Sequence, residues 1–519
     1  MEKKKTFIII VVALLVLSIG ITFAYFIAKT GPGSSANANV TTGTVDDLKF
    51  NVSKENISLN VNQFNFASGS GNLSDNVTAT ASLKANSTKN TATYNYYVYF
   101  QIESNNYAYT TTDKKPEIVL SITGPNGEIT SVDGLKYVSA TNADGTVVNG
   151  FDITEQSSSV IKIADSFEIS STSSTNYTNQ DWIFKVSFIN LDTNQADNES
   201  KQLTGKVLIQ KEEIKPTLAD YVISQYTGTQ GENSIYHHDA SLTNGAEDNS
   251  YRFAGADPNN YVCFGSDDTT CPTENLYRII GVFGDKVKLI HADGATTTML
   301  GTNEGYAKTY QAAYGGASFY KGKEDFAKIG TYKWNKTRDN TWSTSTTNTI
   351  NLNTNYLTYL DGKNTKWKTM IADTTWYVGG MTSNNGFQSN AKTAYDYEVG
   401  ANKDATTTVN TKIGLMYVSE YYYATTSDYW TLPGVDANGN DYRAAINDNW
   451  LYTGLNEWTL SRRSDASNLA LNVHVVGIVL DGDVDDSGGS AVRPSFSLSS
   501  SVKYESGSGT ASNPIRLKI

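Results

Sequence analysis

The chain is poor in several residue types, and each shortage excludes a class of protein. Only 9 of its 519 residues are proline, which excludes a proline-rich or collagen-like fibre. Lysine and arginine total 41 against 53 aspartates and glutamates, which gives a net charge of −12. Nucleic-acid-binding proteins carry a basic surface patch, which an acidic chain of this kind does not favour. Charged residues of both signs make up 18%, below the ~25% of an average protein. We therefore expect no nucleic-acid partner.

Apolar residues, by contrast, are present in ordinary amounts. Hydrophobic residues account for 39% of the chain, and the 41 glycines add to the small-residue content. This composition is typical of globular proteins and argues against wholesale disorder. At ~150 residues per domain, the length favours about three domains.

The N-terminus contains the longest apolar run of the chain. Lysines occupy residues 3–5, and residues 7–28 follow without a charge before Lys29. The run exceeds the ~20 residues that a helix needs to cross a membrane, and the preceding lysines favour a cytoplasmic start. It predicts either an uncleaved membrane anchor or a signal peptide cleaved after Ala24. Both interpretations place the rest of the chain outside the cell, at the membrane, at the cell surface or secreted.

The two cysteines agree with export. Cys263 and Cys271 are separated by a short polar loop. In an oxidising compartment such a pair predicts a local disulfide, and no further cysteine or histidine is suitably placed for a zinc site.

Composition divides the exported part into three segments. Residues 31–39, rich in Gly, Ser, Ala and Asn, are typical of a flexible linker. Residues 40–212 contain short β-branched and aromatic runs between polar clusters, which predicts an antiparallel β-sandwich. A charged run ending at Pro216 marks a boundary, and residues 213–519 are predicted to form a second domain that begins with a short helix over 217–226.

Alternation of apolar residues places the predicted strands. In the sandwich, Trp182, Phe184, Val186 and Phe188 fall on one face of a strand, as expected for a half-buried strand. The clearest strands of this domain are predicted at 93–103, 118–122, 160–169, 181–189 and 203–210. In the second domain a hairpin is predicted from 276–283 and 287–291, with further strands at 376–378, 413–418, 457–460, 471–480 and 491–498.

The leader and first strand resemble a known family. Gly20–Phe26 (GITFAYF) and Val40–Phe50 (VTTGTVDDLKF) are similar to the start of camelysin/TasA-type exported proteins of Gram-positive bacteria. The resemblance implies export followed by a β-sandwich that can assemble into matrix fibres.

A second resemblance covers about 250–519. Leu276–Ile290, Ile413–Val418, Asn456–Ser461 and Ala491–Leu498 look like bacterial surface modules that are similar to the C-type-lectin-like fold, including its formylglycine-generating-enzyme branch. That enzyme branch has a cysteine pair in its C-terminal region, whereas both cysteines here lie early in the module. The resemblance therefore implies an α+β C-type-lectin-like fold with long loops and a surface role, in a chain that is mainly β overall.

An acidic loop is the strongest candidate for a metal site. Asp481, Asp483, Asp485 and Asp486 lie on a glycine-rich segment, and closely spaced carboxylates suit Ca²⁺. The EF-hand pattern fails, because Asp486 occupies the position that needs glycine. The loop is interpreted either as a Ca²⁺ site or as a solvated hairpin tip.

Aromatic residues in polar surroundings are the candidates for ligand binding. Tyrosine and tryptophan combine a flat apolar body with a polar tip, which suits stacking on a sugar or docking a protein. The alternative is that they fix irregular loops to the core. The candidates are Tyr421, Tyr422, Tyr429, Trp430, Trp450 and Tyr452.

These observations predict a non-catalytic surface protein in which the C-terminal head mediates adhesion by recognising a glycan or protein. The sequence has no H-E-x-x-H motif, P-loop or nucleophile elbow. One alternative is a structural matrix or fibre subunit that self-assembles through the sandwich. A second is a formylglycine-type oxidase or a hydrolase built from distant residues.

Overall fold

The structure, a computed structural model, describes residues 45–62, 73–385 and 387–519. The predicted membrane or signal helix at 7–28 and the predicted linker at 31–39 lie outside the described residues. Within the described part of the chain, no helix is long and apolar enough to span a membrane. Strands account for 36% of the structure and helices for 16%, so the prediction of a mainly β protein is confirmed.

The chain divides into two compact units at Ile214/Lys215. In the N-terminal unit the described strands are β1 (Asp47–Val52), β2 (Ile57–Asn60), β3 (Leu73–Lys84), β4 (Ala92–Asn105), β5 (Ile118–Gly124), β6 (Gly127–Glu128), β7 (Tyr137–Thr141), β8 (Val147–Asp152), β9 (Ser159–Ser171), β10 (Thr178–Phe188) and β11 (Gln202–Gln210).

These strands form two antiparallel sheets. One has the order β1-β3-β10-β5-β8-β7, with β6 paired to β5, and the other has the order β2-β11-β4-β9. Both sheets contribute to one apolar core, where Phe100 of β4 stacks on Phe184 of β10 at a centroid distance of 5.9 Å. The predicted inward face of β10 is confirmed, because Trp182, Phe184, Val186 and Phe188 are all buried.

The C-terminal unit has shorter strands. They are β12 (Ile235–His237), β13 (Tyr251–Phe253), β14 (Tyr261–Cys263), β15 (Leu276–Phe283), β16 (Lys286–His291), β17 (Tyr306–Thr309), β18 (Gly330–Tyr332), β19 (Thr374–Tyr377), β20 (Thr408–Thr411), β21 (Glu457–Arg462), β22 (Leu469–Val473), β23 (Val479–Asp483), β24 (Ser490–Ala491), β25 (Ser495–Ser497), β26 (Lys503–Ser506) and β27 (Arg516–Lys518).

Short helices lie between these strands. They are α1 (Leu218–Ser224), α2 (Thr297–Leu300), α3 (Tyr310–Tyr314), α4 (Leu357–Lys363), α5 (Thr365–Met370), α6 (Ala391–Glu398) and α7 (Val418–Tyr423), and a π-helical stretch, Thr347–Tyr356, precedes α4. Helix α1 coincides with the predicted leading helix, and the side chain of Thr217 caps its first turn by accepting from the Asp220 backbone N–H at 3.0 Å.

The strands of the C-terminal unit form two larger sheets and two small ones. The first has the order β12-β13-β15-β16-β25, with β14 paired to β15, and the second has the order β17-β18-β24-β21-β22-β23. The pairs β19–β20 and β26–β27 stand apart. The predicted hairpin is confirmed as β15–β16, and one continuous aromatic-rich core underlies the unit.

The predicted disulfide is also present. Cys263, at the end of β14, is bonded to Cys271 across a Cα–Cα distance of 5.8 Å. The bond closes the loop that leads into β15.

Three predicted strands of this unit differ from the structure. The segment 491–498 is divided between β24 and β25, which belong to different sheets. The segment 413–418 makes one isolated bridge, between Gly414 and Ser495, and then enters α7. The segment 471–480 is a hairpin, β22–β23, in which Gly477 has a φ of +87° and the His474 N–H donates to the Ile478 carbonyl at 2.8 Å.

Candidate functional site

A polar cleft of about 190 Å³ opens in the C-terminal unit. Five separate segments surround it: residues 256–261, which lead into β14, residues 273–278, which lead into β15, the turn after β16, residues 321–323, and the loop 446–453. Trp450 and Tyr452 on the last of these segments belong to the predicted ligand-binding set.

Arg278 lines the base of the cleft. It faces Tyr261 across the β14–β15 pair, and its guanidinium lies between two rings, 4.2 Å from the Tyr261 centroid and 4.7 Å from that of Trp450. Its Nε donates to Asn260 Oδ1 at 2.7 Å, and burial lowers the pKa of Arg278 to about 10. Its nearest carboxylate, Asp257, is 3.7 Å away and largely exposed. The positive charge is therefore held mainly by rings and neutral acceptors.

Two lysines form the rim. Lys321 Nζ donates to the Ile446 carbonyl at 2.8 Å and lies 5.0 Å from the Tyr452 ring centroid. Lys323 Nζ lies 4.9 Å from the centroid of Tyr261. Partial burial lowers the pKa of Lys321. Each cation at the cleft is thus placed over an aromatic face, an arrangement that favours a positive charge while removing part of its hydration.

Asp293 holds this rim in place. Its Oδ2 accepts from the Tyr320 hydroxyl at 2.6 Å, from the Lys323 backbone N–H at 2.7 Å and from the Glu324 backbone N–H at 2.9 Å. Burial and this carboxylate together raise the pKa of Tyr320. A Cβ at Gly322 would lie 2.2 Å from Asp293 Oδ2, so only glycine fits where the rim passes the carboxylate.

The other predicted aromatic residues do not reach the cleft. Tyr421, Tyr422 and Trp430 are each 0% exposed, and Tyr429 is half-buried and packed against the core. Trp430 Nε1 donates to the Thr425 carbonyl at 2.8 Å. As a correction to the ligand-binding interpretation, Tyr421, Tyr422 and Trp430 fix irregular segments to the core and have no free face for a ligand, whereas the prediction for the partly exposed Tyr429 is untested.

Trp450 and Tyr452 line the cleft but are themselves almost completely buried. They are 5% and 4% exposed, and the face of each ring carries a cation of the cleft. The Tyr452 hydroxyl also donates to the Val475 carbonyl. Their role at the cleft is to position Arg278 and Lys321.

The four aspartates of the predicted Ca²⁺ loop are not brought together. Asp481 pairs with Arg463, and Asp483 pairs with Arg338 at 3.1 Å. No group of three or more His, Cys, Asp or Glu side chains that could hold a metal ion occurs among the described residues, which include Asp485 and Asp486. In this arrangement arginines, rather than a cation of the solution, neutralise the first two carboxylates.

Sequence reasoning missed the charged residues of the cleft. Arg278 interrupts the otherwise apolar strand LYRIIGVF, and a charge within a buried run is a signal that the sequence did contain. Lys321 and Lys323 lie on a loop without periodicity, so nothing in their spacing indicates that they meet Tyr452 and Tyr261.

Comparison with protein-family models, with curated proteins and with solved structures gives no match to this chain.

Proposed function

We propose that the chain is an exported cell-surface protein whose C-terminal unit, a C-type-lectin-like head, recognises an extracellular glycan. The run at 7–28 supports export, either as an anchor or as a cleaved signal. The disulfide Cys263–Cys271 is consistent with an oxidising exterior.

The cleft is the observation that carries the proposal. It is concave, and it combines aromatic rings with a few convergent polar groups, as small-ligand sites do. Its walls come from five segments separated in sequence, and Asp293 fixes one of them through three hydrogen bonds. Such a preorganised surface favours recognition, because little ordering entropy is lost when a ligand binds.

A glycan array probed with the full-length protein tests the proposal. Tyr261→Ala removes a cleft wall that is partly exposed, and we expect binding to fall at least tenfold. Tyr359→Ala is the matched control, since Tyr359 is also partly buried and carries Lys363 at 5.3 Å from its centroid, but lies outside the cleft. Thermal unfolding of both variants reports any general loss of structure.

Two results would contradict the proposal. One is glycan binding that Tyr261→Ala and Tyr359→Ala reduce equally. The other is binding that maps to residues 45–214, which would place recognition in the N-terminal unit. If the protein instead binds another protein, and Tyr261→Ala weakens that binding, the cleft is still the recognition site but its ligand is a protein and not a glycan.

A further inference from the structure

We propose that the cleft selects a carboxylate-bearing sugar of about monosaccharide size, such as a hexuronic acid. This inference rests on the proposed recognition function and specifies the chemistry of its ligand.

The charge balance of the cleft is the first argument. Arg278, Lys321 and Lys323 place three cations around one small opening. None of the ion pairs found among the described residues involves Lys321 or Lys323. Of the two lining carboxylates, Asp293 is buried and engaged with three donors of the rim, and Asp257 lies 3.7 Å from Arg278, so Lys321 and Lys323 are the lining cations without a carboxylate partner. The opening therefore presents unpaired positive charge, which favours an anion.

The donors that remain are the second argument. A lysine ammonium has three N–H donors. Lys321 uses one on the Ile446 carbonyl at 2.8 Å and has a longer contact with Asn447 Oδ1 at 3.4 Å. Lys323 Nζ contacts only the ring of Tyr261 among the described interactions. Both side chains are largely exposed, so each can donate to one oxygen of a bound carboxylate as a charge-assisted hydrogen bond.

Size and the neutral groups argue for a sugar acid. Because a protein cavity of about 150 Å³ can hold one benzene ring, a volume of about 190 Å³ is enough for one sugar ring. Asn447 also lines the cleft and offers its exposed amide to the hydroxyls of a ring, whereas the Thr453 hydroxyl already donates to Glu457 at 3.4 Å. A bare inorganic anion would leave this amide unused.

Partial desolvation of the Lys321 ammonium supports the same conclusion. The lowered pKa of Lys321 indicates an ammonium that has lost hydration without gaining a carboxylate partner. An anion arriving at this site restores part of the lost stabilisation. Because the lysines remain near solvent, the attraction should also weaken as salt increases.

Calorimetric titration of the full-length protein tests the inference with three probes: glucuronic acid, glucose and inorganic phosphate. We expect glucuronic acid to bind at least tenfold more tightly than either of the others. The double variant Lys321→Met/Lys323→Met should weaken glucuronic acid binding at least tenfold, and raising the salt from 0.05 to 0.5 M should weaken binding to the unchanged protein.

Lys403→Met is the matched control for the lysine variant. Lys403 Nζ lies 5.1 Å from the centroid of Tyr377 and donates to the Gly400 carbonyl at 3.1 Å, which reproduces the setting of Lys321 away from the cleft. This variant should leave the affinity for glucuronic acid unchanged.

The outcomes separate this inference from the proposed function. Equal affinity for glucose and glucuronic acid, or tighter binding of phosphate, overturns the sugar-acid assignment. If the glycan array gives binding that depends on Tyr261 but not on the two lysines, the recognition function stands and the charge selection is wrong. If Tyr261→Ala leaves all glycan binding intact, the cleft is not the recognition site and both proposals fail.

Discussion

The two units exclude water from their cores by different means. In the N-terminal unit, long strands such as β4 and β10 supply alternate apolar side chains to a core between two sheets. In the C-terminal unit, strands are short and long loops cross the core, so buried polar side chains hold segments that no sheet covers. Asn340 Nδ2, for example, donates at 2.8 Å to each of the carbonyls of Arg463, Ala466 and Leu469.

Ion pairs show the same contrast. In the C-terminal unit, Arg493 pairs with Glu457 at 2.6 Å, with both side chains at most 3% exposed. The Lys288–Glu420 pair is at most 7% exposed, and its ammonium lies 4.8 Å from the Trp376 centroid. In the N-terminal unit, by contrast, the ion pairs made by Lys49, Lys54, Lys84, Lys114, Lys115, Lys162 and Lys206 all have side chains that are at least 11% exposed. The buried Glu117 of the N-terminal unit is instead held by neutral donors from Thr110, Gln195 and Asn198, so the contrast between the units lies in the buried ion pairs of the loop-rich unit.

The largest expected effect in the N-terminal unit comes from its apolar core. Phe184→Ala removes a fully buried ring that stacks on Phe100, and we expect a loss of about 3–5 kcal/mol in the free energy of unfolding. Hydrogen exchange of residues 73–210 would measure it. Ile183→Ala is the control, because Ile183 is adjacent on the same strand but 44% exposed, and it should change stability by about 0.5 kcal/mol or less. Equal effects of the two variants would contradict the two-sheet core.

An effect of similar size is expected in the C-terminal unit from a single charge. Arg493→Met leaves the Glu457 carboxyl buried without its partner, and breaking such a pair costs about 3–5 kcal/mol. Tryptophan fluorescence during urea unfolding reports this unit, since seven of the eight tryptophans follow residue 330. The double variant Arg493→Met/Glu457→Gln should recover part of the loss. A loss below about 1 kcal/mol in the single variant would show that the pair does not secure the loops.

A third prediction concerns Glu398 at the end of α6. It is buried and accepts from the Val418 and Ser419 N–H groups at 2.8 and 2.9 Å, yet burial dominates and raises its pKa from 4.5 to about 7. Between pH 4.5 and about 7, the folded state therefore keeps this proton, whereas the unfolded state releases it. Its contribution to stability is complete below pH 4.5 and is lost as the pH rises to about 7, by about 3 kcal/mol.

Urea midpoints of the C-terminal unit at pH 5 and pH 7.5 test this dependence. Glu398→Gln imitates the protonated acid and should reduce the difference between the two midpoints. An unchanged difference in the variant would assign the pH dependence to other groups.

The smallest expected effect comes from the disulfide. For a sequence separation of 8, chain entropy attributes about 2.5 kcal/mol to the Cys263–Cys271 bond. The variant Cys263→Ser/Cys271→Ser should therefore lower the stability of the C-terminal unit by about that amount, measured by thermal unfolding. The N-terminal unit should not change. A reductant should lower the stability of the natural protein and have no effect on the variant.

The contrast between the units also explains which elements could be predicted from the sequence. In the N-terminal unit a period-2 pattern directly produces the strands, and the predicted 181–189 and 203–210 match β10 and β11 closely. The segment 413–418 was wrongly predicted as a strand, because its apolar residues belong to a loop and to the start of α7. There the Glu420 carboxylate accepts from the Tyr417 N–H. Residues of the cleft lie on five segments, and only the folded chain brings them together.

Asp293 has a kinetic consequence. One carboxylate already fixes Tyr320, Lys323 and Glu324 in the free protein. Ordering of the rim should therefore not limit the rate of ligand association. Encounter should then proceed near the rate set by diffusion and charge steering, and differences in affinity among ligands should appear mainly in their residence times.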